Sequence, residues 1–97
     1  MSRVTDLFME VETELINATL TYRPFGSVHE GMAVLQEEMN ELWQAVGRKT
    51  GGDMLHQPKD WSVIRSEAIQ VAAMAMRLVM DGDRLLHPAG EKFQYGE

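Results

Sequence analysis

The sequence predicts an all-α protein, a helical bundle of three to four helices per chain that is completed by oligomerisation. Three observations carry this expectation. Apolar residues recur at three- and four-residue steps in three separate stretches. Gly- and Pro-containing breaks part those stretches, and no segment alternates with period two for long enough to make a strand.

The first helix is expected over about Val4 to Leu20, with Val4, Leu7, Phe8, Val11, Leu15 and Ala18 on one side. It stops before Pro24, and Phe25-Gly26 is a connector. Ser27 and Glu30 have the spacing of a capping box and open the second helix. Val28, Leu35, Met39, Leu42, Trp43 and Val46 form its apolar face, and Gly47 is a natural stop. A polar loop follows from Arg48 to Lys59, holding Gly51-Gly52 and Pro58.

The third helix is expected to start at Asp60 or Ser62, run to Met80 and close at Asp81-Gly82-Asp83. A short fourth helix around Asp83 to Leu86 and a polar tail over 87–97 complete the chain, read as one domain over 1–97. The third segment is apolar nearly all round, so it should be covered on several sides. One chain of this size covers it poorly, which predicts a homodimer or homotetramer, and eight methionines suit such an interface.

Composition narrows the function. There is no cysteine, hence no disulfide and no thiolate ligand or nucleophile, which fits a reducing, cytoplasmic setting. The first residues carry acids where a secretory leader needs an apolar run, and the longest apolar run, Val71 to Met76, is too short to span a bilayer. A net charge of −6 disfavours a nucleic-acid polymer as partner. It does not exclude a phosphorylated small molecule, because a bound divalent cation reverses the local sign.

Four glutamates call for an explanation. Glu37, Glu38 and Glu41 fall within an arc of about 100° on the second helix, where like charges a turn apart repel. Glu67 has Val63, Ile64, Val71, Met74 and Leu78 as its angular neighbours, so it points from an apolar face. A buried carboxylate without a partner costs several kcal/mol or takes up a proton. Arg65 and Arg77 project to other sides of the same helix, so a divalent cation shared with the second helix is the economical partner. Oxygen-only ligands select hard ions such as Mg²⁺ or Mn²⁺. The competing reading is a solvated acidic face, with Glu67 paired to an arginine of another subunit.

Glu37-Glu38-Met-Asn-Glu41, followed after a loop by Glu67-Ala-Ile-Gln70, resembles the E-E-x-x-E … E-x-x-D signature of the MazG-like, all-α nucleoside triphosphate pyrophosphohydrolases. Leu-Trp-Gln-Ala-Val after the first half and an alanine-rich helix around the second extend the resemblance over roughly 27–80. It implies a dimer or tetramer that hydrolyses a nucleoside triphosphate between its α- and β-phosphates. By that similarity Glu38, Glu41, Glu67 and Gln70 are metal ligands for Mg²⁺ or Mn²⁺, and Glu37 holds a further metal or the attacking water. One position departs: Gln70 stands where the family has aspartate, so it supplies an amide oxygen and no charge. That departure keeps a second reading open, a non-catalytic helical oligomer that binds a protein or senses nucleotide. A related diphosphate or pyrimidine-specific activity is a third.

Other residues divide between function and packing. Arg48, Lys49, Lys59 and Arg65 are candidates for the triphosphate's charge, against solvated bases. Trp61 and His29 are candidates to contact the base. Trp43, on the apolar side of its helix, reads as core. His56 and His87 have no paired ligand spacing, and Gly51-Gly52 lacks the Lys-Ser/Thr of a phosphate loop.

Overall fold

The computed structural model describes residues 2–47 and 61–86. They form three helices, α1 (Arg3–Thr21), α2 (Val28–Val46) and α3 (Trp61–Leu86), and no strand occurs among them. The all-α class is as expected. None of the helices is long and apolar enough to cross a membrane.

Local chemistry sets the ends. Ser2 caps α1 by accepting the Thr5 N–H at 3.0 Å, and Ser27 caps α2 by accepting the Glu30 N–H at 3.0 Å. The capping box is half formed, because Glu30 reaches one residue further back and accepts the Gly26 N–H at 2.6 Å. Its carboxylate also takes the Arg23 guanidinium, at 2.7 Å for the shorter bond, and that pull accounts for the displaced partner. Gly47 ends α2 with φ 89°, a left-handed conformation that glycine adopts without the Cβ penalty.

One boundary differs from expectation. α3 runs through Asp81-Gly82-Asp83 to Leu86 as one helix, with no separate fourth helix. A glycine inside a helix costs about 1 kcal/mol. Tertiary bonds to the α1–α2 connector offset that here: Asp81 Oδ2 accepts the Phe25 N–H at 2.9 Å, and Arg84 donates to the Phe25 carbonyl at 2.9 Å.

α3 is the middle element. It packs against both α1 and α2, while α1 and α2 do not pack on each other. On the α1 side Val11, Leu15 and Ala73 form a buried cluster with Ile69 and Ala72. On the other side Ala18, Phe25 and Met74 pack with Val34, Leu35 and Leu78. The helices approach closely at Gly31, where an added Cβ would lie 2.6 Å from Leu78 Cδ1 and 2.9 Å from the Phe25 ring.

Arg77 is only 5% exposed, although its position on the helical wheel suggests a side of its own. Its guanidinium sits 4.1 Å from the centre of the Phe25 ring, donates to the Arg23 carbonyl and lies 3.8 Å from Asp81. Phe25, Arg77, Asp81 and Arg84 thus fasten the connector to the last turns of α3. Trp43 departs from the expected core position: it is 50% exposed, with Met32 and Met39 also open on the same helix. The apolar face of α2 is wider than the surface α3 offers, so only part of it is covered.

Candidate metal centre and adjoining cavity

The two acidic segments meet because α2 and α3 run antiparallel, which is clear from Gly31 lying against Leu78 while Glu38 and Glu41 lie against Glu67. Glu38, Glu41 and Glu67 each bring a carboxylate oxygen within 4.8 Å of the others. Glu38 Oε1 and Glu67 Oε1 are buried and make no hydrogen bond. Buried polar atoms are nearly always satisfied, so two orphaned carboxylate oxygens call for a positive partner or a proton.

The electrostatics agree with that geometry. Burial raises the Glu38 carboxyl above its ordinary value, and Glu41, Glu67, Glu37 and Glu14 raise it further. Burial raises Glu67 too, followed by repulsion from Glu41 and a hydrogen bond with it that favours the protonated acid. None of the three arginines of α3 neutralises the cluster. Arg65 pairs with Glu10 on α1, through bonds of 2.7 and 2.6 Å. Arg77 and Arg84 are spent on the connector. The donor set is oxygen only, the ligand type that hard divalent cations take.

A cavity of about 590 Å³ opens beside the acids, between α1 and α2 and over α3. Gln70, Met74 and Arg77 form its floor on α3, Glu14, Asn17 and Thr21 line the α1 wall, and Val34 and Glu38 line the α2 wall. Tyr22, Arg23 and Phe25 close the end away from the carboxylates. Gln70, one turn beyond Glu67 on α3, lines the floor of this hollow.

The sequence candidates therefore separate into groups. Glu38, Glu41 and Glu67 come together, and Gln70 lines the adjoining cavity with Glu38. Glu37 is exposed at the margin and is felt by Glu38 as a repelling charge. His29 is exposed in the first turn of α2 and does not line the cavity. Trp61 and Arg65 line a different groove, with Val4, Leu7 and Val11 of α1, so they are not brought to the acids. Arg48, Lys49 and Lys59 lie outside the described residues.

Glu14 and Asn17 are wall residues that escape the sequence reading. Their signal is a polar strip on α1, at Glu14, Asn17 and Thr21, beside the buried line of Val11, Leu15 and Ala18. Comparison with family models, curated proteins and solved structures gives no match.

Proposed function

We propose that this chain hydrolyses a nucleoside triphosphate to the monophosphate and pyrophosphate with Mg²⁺ or Mn²⁺. The observation that carries the reading is the grouping of Glu38, Glu41 and Glu67, one carboxylate oxygen of each within 4.8 Å of the others, with a buried oxygen on Glu38 and another on Glu67 left unbonded. The resemblance of Glu37 to Gln70 to the MazG-like signature supports it. So does a cavity large enough for an organic group directly beside the acids.

Glu38, Glu41 and Glu67 would hold the cation, with Gln70 offering an uncharged amide at the edge. A divalent ion there supplies charge neutralisation for the phosphates and lowers the pKa of a coordinated water. The protein's own contribution is placement. A substrate with its phosphates at the carboxylates has the cavity for its nucleoside, where Asn17, Thr21 and Tyr22 offer hydrogen bonds and Met74 an apolar floor. Glu37, exposed next to Glu38 in sequence, would accept the proton of the attacking water. Water's oxygen bonds to phosphorus as the bridging P–O bond breaks, and the departing group is pyrophosphate.

The test is pyrophosphate release over a panel of ribo-, deoxyribo- and modified triphosphates, with Mg²⁺ and with Mn²⁺. Turnover that disappears in Glu38→Gln and Glu67→Gln, both still helical by circular dichroism, supports the reading. No turnover by the parent with any substrate and either ion refutes it. Gln70 favours one competing reading, a cation-binding helical module without catalysis. Mn²⁺-dependent stabilisation in the absence of any turnover would select it.

A further inference from the structure

The polar groups of the cavity differ from one end to the other. Glu67, Gln70, Met74 and Arg77 follow one another at three- and four-residue steps along one side of α3, and Glu67 and Arg77 stand about 15 Å apart along its axis. α1 runs alongside in the same direction, with Glu10 against Arg65 and Ala18 against Met74, so Glu14, Asn17 and Thr21 pass the same row in step. Glu14 belongs to the acidic end, since Glu38 feels its charge. At the other end the carboxylate of Glu30 is already taken: Oε1 accepts from the Gly26 N–H and Arg23, and Oε2 accepts from Arg23. Arg77 still has capacity to donate. Its Nη2 bonds the Arg23 carbonyl and its Nε lies 3.8 Å from Asp81, but Nη1 has no hydrogen bond among the described residues. Nη1 is not sealed in protein either, because the buried side-chain atoms without a partner among those residues are on Glu38 and Glu67. Arg77 lines the cavity, and there its free nitrogen has room for a ligand.

We infer that the cavity selects nucleobases by the group opposite the sugar, with Arg77 donating to a carbonyl oxygen there. The inference rests on the proposed placement of the phosphates at the carboxylates. With the phosphates near Glu67, the sugar lies over Gln70, the base over Met74, and the outer edge of the base meets Arg77. A guanidinium donates and cannot accept, whereas Asn17, Thr21 and Tyr22 can each do either. Arg77 therefore decides. Uracil, thymine, guanine and hypoxanthine turn a carbonyl to that edge and gain a charge-assisted bond. Cytosine and adenine turn an amino group, which sets donor against donor. The guanidinium is also fixed before a base arrives, stacked 4.1 Å from the centre of the Phe25 ring and tied to the Arg23 carbonyl, so little freedom is lost on binding. Arg77 is thus a specificity-determining residue.

The test is calorimetric binding of non-hydrolysable α,β-methylene triphosphates with Mn²⁺, in pairs that differ at this edge of the base: uracil against cytosine, and hypoxanthine against adenine. The parent should bind the carbonyl member of each pair about ten- to a hundredfold more tightly. In Arg77→Gln, whose amide can donate or accept, the two members of a pair should bind alike. The ratio within one protein preparation is the readout, because a general loss of structure weakens both members together. Equal binding by the parent, tighter binding of the amino member, or no binding of any analogue overturns the inference, as does a preference that survives in folded Arg77→Gln. If that variant does not fold, the parent's two ratios decide. Turnover without base preference would remove this inference alone, and selective binding without turnover would remove hydrolysis and leave it standing.

Discussion

Replacing Glu67 by glutamine without metal should stabilise the protein, because the substitution removes a charge that its neighbours repel and its surroundings fail to solvate. Unit charges about 5 Å apart interact by roughly 1 kcal/mol in water and about 3 kcal/mol at an effective dielectric of 20. Glu67 is half-buried, so solvent screening pulls its share toward the lower figure. A gain of about 1 kcal/mol corresponds to a rise in Tm of roughly 4–8 °C for a domain of this size. The pH dependence has a definite sign. Glu38 and Glu67 both have folded-state values raised above the ordinary 4.5. Between that value and the raised ones the native state binds more protons than the unfolded chain. Their contribution therefore falls as pH rises through this window.

Thermal melts in EDTA across the acidic to neutral range are the assay, with parent and variant compared. The parent should lose stability with rising pH more steeply than Glu67→Gln. Millimolar Mn²⁺ should reverse the order, since a ligand at about 100 times its Kd adds about 2.7 kcal/mol to the parent and little to the variant. A parent unmoved by Mn²⁺, with Glu67→Gln destabilised at neutral pH, would refute the reasoning. Glu67 would then be serving as an ordinary paired or solvated acid.

Arg77→Met removes a buried guanidinium from Asp81, the Arg23 carbonyl and the Phe25 ring, and should cost about 3 kcal/mol in denaturant unfolding, much of it from the partners left unsatisfied. Gly31→Ala should cost about 1–3 kcal/mol by overpacking, and a second substitution, Leu78→Ala, should recover part of it. Gln70→Asp adds a fourth carboxylate at the cavity floor; calorimetry should find Mn²⁺ bound several-fold more tightly, and pH titration more protons released on binding.

The helices are legible because each is amphipathic and well punctuated, and Ser27 and Gly47 mark the ends of α2 within a residue. Glu67 can be singled out because a carboxylate amid Ile64, Val71 and Leu78 breaks the local pattern. The C-terminal part of α3 misleads a local reading because Asp81-Gly82-Asp83 looks like a terminus, and the bonds that continue the helix come from Phe25, 56 residues away in sequence from Asp81. Arg77 is opaque for the same reason, since its value lies in a carbonyl and a ring that only the fold brings near. Trp61 and Arg65 precede the second motif in sequence but sit on another side of α3. Neighbourhood along the chain therefore says little about neighbourhood in space.

The fastening of the connector by Phe25, Arg77, Asp81 and Arg84 lies at the opposite end of the hollow from the carboxylates. α1 and α2 are therefore joined as the arms of a clothes-peg are, sprung at one end and free of each other at the tips. Amide exchange should accordingly be slowest around Phe25 and the α3 residues beneath it. It should be faster near Glu38 and Glu41, and slow there on adding cation.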